Sequence, residues 1–381
     1  MFHLKGHAAP ETKTAAARAR LLIEQAEALG EPPEDPLLLF SVLYSVWVAS
    51  YIAFDGEEVC ELAAQFLSLA EKQGATVPLM VGHRLMGASL LLKGDLVGGR
   101  AHYDQVAALY DPPVHRALAV RFGVETGVSV LSYQSLALWV LGYPDAALAR
   151  RDHALRDARE IGQVATLMHV LAWTSFPLIQ CGAYAAGNAL INELLALADE
   201  KGSLFWKAWG MMHQGCALVL TGKASEAVNT ITSGITEWRA TGATMLVPFF
   251  LSYLARANAQ LGNFEDAWRC IGEAMAAVEA TREKLWEADI NRTAGEIVLS
   301  LPQRDSAKAE QYFEHALAVA RQQQARSWEL RAAMSLARLW RDQGKVQQAR
   351  ELLAPVYAWF TEGFDTRDLK EAKALLDELA S

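Results

Sequence analysis

This 381-residue sequence has little of what most catalytic and metal-binding chains need. It has four cysteines, at 60, 181, 216 and 270, and no CxxC pair, which excludes a zinc ribbon or a disulfide scaffold. Reduced, buried thiols in a cytoplasmic protein are the plain reading. Charged residues make up 21% and the net charge is −9, a balance unsuited to gripping a phosphate backbone, so no nucleic-acid partner is expected. The start, MFHLKGHAAPETK, lacks the apolar core of a secretory signal. No phosphate-loop motif is present: Gly222-Lys223 is followed by Ala224, and Gly344-Lys345 by Val346. There is no G-x-S-x-G elbow, and the nine histidines form no H-E-x-x-H or other metal-type cluster. Neither an enzyme, a cofactor nor a metal site is therefore expected. His213 and Cys216, three apart, are better read as core than as a nucleophilic pair.

Two stretches free of Asp, Glu, Lys and Arg, 37–54 and 161–192, are long enough to ask about a membrane. Both carry several polar groups, among them Ser41, Ser45 and Ser50 in one and Gln163, His169, Gln180 and Asn188 in the other. Burial between packed helices fits them better than lipid does.

What the sequence does have is a period. A glycine followed five positions later by a small residue recurs as Gly94/Gly99, Gly142/Ala147, Gly182/Gly187, Gly222/Ala227, Gly262/Ala267 and Gly344/Ala349. Phe54/Val59 and Arg304/Ala309 occupy the same slots without the glycine. Most steps are close to forty residues, and a second boundary near mid-unit is marked by Gly74, Gly162, Gly202 and Gly242. Each unit is then two helices with tight loops, the glycine ending the first and the small residue marking where the second crosses it. Seven positions before the turn comes another small slot, Gly87, Ser135, Ser175, Gly215, Ala255 and Ala337, with Trp47 and Ile297 as exceptions. The expectation is an all-α, right-handed superhelix of about eight tetratricopeptide-like antiparallel helix pairs, in one domain over 1–381.

The ends fit the same scheme. Residues 11–30 read as the second helix of a truncated first unit, and 365–380 as a C-terminal capping helix headed by Asp365-Thr366. The array would then be a piece of something longer. One unit is stretched, and its extra residues form an inserted loop at 110–127, opened by Asp111-Pro112-Pro113. The loop carries His115, Arg116, Arg121 and Glu125, as the edge of a binding groove or as a tolerated spacer.

Two passages, YDPPVHRALAVRFGVETGVSVLSYQSLALWVLGYPDAAL at 110–148 and the stretch 326–379 beginning RSWELRAAMSLARLW, resemble the C-terminal helical-repeat region of bacterial multidomain signalling proteins. In that family a cyclase or DNA-binding output domain and a signal-transducing ATPase domain precede the repeats. The resemblance implies a regulatory role, with the repeats sensing a ligand or protein partner and controlling the upstream domains. Such proteins commonly carry an Asp-Pro where this chain has Glu125-Thr126. A stand-alone scaffold that binds peptides is the alternative.

In tetratricopeptide folds the first helix of each unit lines the concave surface. Counting back from the turn, offsets −13, −10 and −6 should face inward. That places His169, Phe176, Trp209, Phe249 and Arg256 in the middle of the groove, with Arg331 and Arg338 further along. Aromatic area beside arginine suits a peptide or small-molecule effector. The same residues would serve equally as core contacts if the superhelix closed tightly.

Overall fold

A computed structural model describes residues 37–380 together with Leu21 and Asp35. The truncated helix expected at 11–30 lies, apart from Leu21, outside the described residues. The described residues fold into helices joined by short turns, with no strand among them. Eight antiparallel pairs follow in order. They are α1 (Leu38–Ile52) with α2 (Gly56–Gln73), and α3 (Thr76–Lys93) with α4 (Leu96–Leu109). After the insertion come α7 (Thr126–Val140) with α8 (Pro144–Ile161), α9 (Val164–Gln180) with α10 (Tyr184–Lys201), and α11 (Leu204–Leu220) with α12 (Ala224–Ala240). The last are α13 (Val247–Gln260) with α14 (Phe264–Thr281), α15 (Glu287–Ser300) with α16 (Ser306–Gln322), and α17 (Arg326–Asp342) with α18 (Val346–Ala358). A final helix, α19 (Arg367–Glu378), covers the end, its Leu369, Ala372 and Leu375 buried.

The sequence logic of each unit is visible in its packing. Helix α2 starts where the Asp55 carboxylate accepts from the backbone N–H groups of Glu57 and Glu58, and stops at Gly74 in the left-handed region. At the small slot of α11, a methyl group on Gly215 would stand 2.2 Å from Ile231 of α12, so the two helices cross where only hydrogen fits. In the unit where Ile297 occupies the expected slot, Gly295 does this work instead, against the Phe313 ring.

First helices are enclosed and second helices face out. In α9 every residue from 168 to 180 is buried, which explains its freedom from charge without any lipid. In α8 only Pro144, Ala147, Ala154, Leu155 and Ala158 are buried, a single stripe on an otherwise charged helix. No helix of the described residues is long and apolar enough to cross a membrane.

The burial of the first helices comes from a closure the periodicity does not announce. The Ile52 carbonyl, at the end of α1, accepts from the backbone N–H groups of Thr244 and Met245, just before α13. Leu92 accepts in the same way from Leu285 before α15, and Cys181 from Arg367 at the start of α19. The Trp139 carbonyl accepts from the Ser327 hydroxyl at the start of α17, 188 residues away. Each of the first four units' first helices thus ends against the start of the helix that lies five units further on. The orphan carbonyls of one helix C-terminus meet the donors and positive dipole end of another helix N-terminus. Gly142, at φ +93°, sits in one such seam, where a side chain would run into Trp359 and Arg326.

The insertion is ordered rather than an open loop. It forms α5 (Pro112–His115), a 3-10 turn (Arg116–Leu118) and α6 (Ala119–Phe122). Thr366 stands at the start of α19, but neither it nor Asp365 caps that helix with a side-chain hydrogen bond; the Thr366 hydroxyl donates to the Gly363 carbonyl instead.

Candidate functional site in the superhelix lumen

Between the first and fifth units the lumen keeps a cavity of about 50 Å³. Helix α1 contributes Tyr44, Trp47 and Tyr51, α3 contributes Arg84, and α7 contributes Ser129 and Tyr133. Helix α9 adds His169 and Trp173, α11 adds Trp206 and Trp209, and the closing turn supplies Met245. The walls are held by ring contacts. Trp47 stacks on Tyr51 with centroids 4.5 Å apart, and Trp173 meets both Tyr133 and Trp209 edge to face at 4.9 Å. Trp47 Nε1 donates to Ser89 Oγ at 3.0 Å, while Ser129 Oγ and His169 Nε2 stand 3.2 Å apart. The Trp209 indole N–H has no acceptor among the described residues although the side chain is only 1% exposed.

Arg84 is the charge of this cavity. It is 3% exposed, donates from Nη1 to the Val124 carbonyl at 3.3 Å, and lies over the Tyr44 ring at 5.1 Å. No carboxylate of the described residues lies within ion-pair distance of it. Burial drives the Tyr44, Tyr103 and Tyr133 hydroxyls to titrate above their ordinary value, and the Arg84 charge opposes that rise at all three.

The other half of the lumen is filled and charge-balanced. Arg331 Nε donates to Asp368 Oδ2 at 2.6 Å, Nη1 to the Gln180 side-chain oxygen at 2.7 Å, and Nη2 to the Gln180 carbonyl at 3.0 Å. Its plane also lies near the Trp139 and Trp328 rings. Burial alone would raise the Asp368 carboxyl, but Arg331 and Arg367 hold it below the ordinary carboxylate value. Nearby, Arg292 pairs with Asp289 at 2.6 Å and with Glu296 at 2.5 Å.

The expected groove residues therefore part company. His169 and Trp209 line the cavity. Phe176 and Phe249 do not; they pack on each other at 5.2 Å and against Trp286, as core. Arg331 is no free anchor, because its fork is already taken by Asp368 and Gln180. Arg256 lies over the Tyr253 ring beside Asp289 and Glu296, and Arg338 is half-exposed on Glu371. In the insertion, Arg116 pairs with Glu160 and Arg121 with Asp35, and the His115 ring accepts from the Asp111 N–H. Glu125 is buried and caps α7, accepting from Val128 N at 2.7 Å and from the Tyr110 hydroxyl at 2.8 Å. The insertion still touches the cavity, through Val124.

Arg84 stands in the −10 row of inward positions, ten before Gly94 and outside the middle of the array. A clearer missed signal is the row nine before the turn, Tyr133, Trp173, His213 and Tyr253, forty residues apart each time. His213 bonds to Ser175 Oγ at 3.2 Å, burial pulls its pKa down to about 3, and burial pushes the Cys216 thiol well up. Neutral imidazole and un-ionised thiol are the packing partners of a core. No group of three or more His, Cys, Asp or Glu able to hold a metal occurs among the described residues.

No family model matches the chain, and no curated protein matches it. Among solved structures it is similar to a Rap protein complexed with competence and sporulation factor, at 11% identity over 96% of this chain and 95% of that one, TM-score 0.62. It is also similar to aspartyl phosphate phosphatase F from Bacillus subtilis, at 11% identity over 90% of this chain and 88% of that one, TM-score 0.50. Likeness at this level of identity is likeness of fold, and the fold is a tetratricopeptide-like helical-repeat superhelix.

Proposed function

We propose that this chain is a non-catalytic sensing and interaction domain that captures a ligand or partner inside its superhelix. In a longer parent protein, occupancy would set the balance between silent and active states of an upstream ATPase, cyclase or transcriptional output domain. The observation that carries the reading is the lumen cavity near Trp209, bounded by five first helices and the turn that closes on them. An open groove for an extended peptide would leave those aromatics in solvent; a narrow, partly enclosed, aromatic-walled cavity suits a small ligand or a single inserted side chain. The Rap protein of similar fold was solved in complex with competence and sporulation factor, which supports capture of a ligand by this architecture.

The test is a thermal-shift and tryptophan-fluorescence screen of the whole chain against metabolites and short peptides. A cavity ligand raises Tm in proportion to its occupancy and perturbs indole emission, and Trp209→Phe weakens both responses. If nothing binds the lumen while a protein partner binds the chain and tolerates Trp209→Phe, the scaffold reading replaces this one.

A further inference from the structure

Three arginines are buried among the described residues: Arg84, Arg292 and Arg331. Arg292 has Asp289 and Glu296, and Arg331 has Asp368. Arg84 has a carbonyl and a tyrosine. An uncompensated buried charge is costly, and a protein keeps one most readily where a ligand supplies the counter-charge. Two buried carboxylates that stand next to cavity-lining segments, beside Val124 and beside the turn that carries Met245, are engaged elsewhere. Glu125 is held by the start of α7 and Tyr110, and Glu283 accepts from Leu246 N at 3.0 Å and Trp286 Nε1 at 2.8 Å.

We infer that the lumen cavity takes the single carboxylate of a ligand, with Arg84 as its counter-ion. About 50 Å³ holds a carboxylate and not a whole aromatic acid, so the ligand's apolar part lies against the aromatic rings at the cavity's mouth. The inference rests on the sensing role given above. The charge count favours a carboxylate over a phosphate. One guanidinium balances one negative charge, whereas a phosphate dianion would bring a second into a wall of aromatic rings. Two further lining groups have no hydrogen-bond partner among the described residues, the Trp209 indole N–H and the Tyr51 hydroxyl, and either suits an oxygen of the same ligand. Trp47, Tyr133 and Trp173 supply ring faces and edges for the apolar part. The carboxylate could come from a free aromatic acid or from the C-terminus of a peptide. Both present the same chemistry to Arg84.

The experiment titrates the full chain with phenylacetate and with its neutral amide, and with a tetrapeptide ending in phenylalanine whose C-terminus is free or amidated. Tryptophan fluorescence and calorimetry read the affinities. The acid, or the free-ended peptide, should bind roughly tenfold to a hundredfold more tightly than its amide, the worth of one charge-assisted contact. Binding of the small acid identifies a metabolite-type ligand, and binding of the free-ended peptide alone identifies a peptide end. In Arg84→Gln the acid and the amide should become equal, while the unliganded variant melts no lower than the parent, because an unpaired charge has been removed. Equal affinity for acid and amide in the parent overturns the inference, as does an Arg84→Gln variant that keeps the preference, and so does failure of every probe at millimolar concentration. If the screen above finds a neutral or cationic cavity ligand instead, the sensing role stands and only the carboxylate assignment falls. If it finds none, both fall.

Discussion

The two halves of the lumen treat a buried arginine in opposite ways. At Arg331 the fold supplies a carboxylate, an amide oxygen and a carbonyl, and joins α17, α9 and α19 through one side chain. At Arg84 it supplies one carbonyl and an aromatic face beside an unfilled space. The first is a fastener between superhelical turns that needs no outside partner. The second is a charge whose environment is incomplete, and incompleteness of that kind marks where a ligand belongs. The residue type is the same in both; the difference lies in what long-range packing brings to it.

The sharpest way to break that contrast is to remove the fastener. Arg331→Ala should cost about 3–5 kcal/mol in a urea melt, because it strands Asp368 without its main partner. The double replacement Arg331→Met with Asp368→Leu should recover most of the loss, since Arg367, the other partner of Asp368, keeps Glu371 at 3.6 Å. Arg84→Gln, by contrast, should leave the unliganded melt unchanged or slightly higher. A fall as large as that of Arg331→Ala would make Arg84 a second fastener and erase the distinction.

Smaller changes test the helix crossing and the closure. Gly215→Ala should cost about 1–3 kcal/mol, since its methyl must displace Ile231 where α11 and α12 cross. Glu283, beside the closing turn, is pushed by burial up to about 8 from the ordinary 4.5. Between those values the folded chain holds a proton that the unfolded chain has released. This group's contribution is therefore full below pH 4.5 and is lost as the pH rises to 8. Tm of Glu283→Gln should show less decline than the parent over that range. The smallest effect expected is at His83 and His102, whose Nδ1 atoms lie 2.8 Å apart. Burial lowers both pKa values, and each ring lies near an opposing acid, Glu71 and Asp95 respectively. The unfolded chain takes up protons here first, so stability falls as the pH drops below 6.5. His102→Gln should flatten that fall.

Much of the fold could be read locally. The forty-residue spacing places all eight turns, and glycines such as Gly94, Gly182 and Gly262 do adopt the positive φ that ends the first helix. The small slot works through Gly87, Gly215 and, displaced by two positions, Gly295. The candidate site was legible only in part. The inward-facing offsets do lead to His169 and Trp209, which line the cavity. Phe176 and Phe249 share those offsets yet are core, because Trp286 arrives from a unit whose contact is set by the superhelix.

By itself, then, the sequence determined the unit: two helices, a glycine turn, a close crossing, and an inner face rich in aromatics. Local periodicity encodes these because each depends on residues within one unit or its neighbour. Only the tertiary structure decided that the superhelix closes on itself, Ile52 meeting Thr244 and Cys181 meeting Arg367. That closure spans five units, and it separates a paired Arg331 from an Arg84 that meets no carboxylate among the described residues.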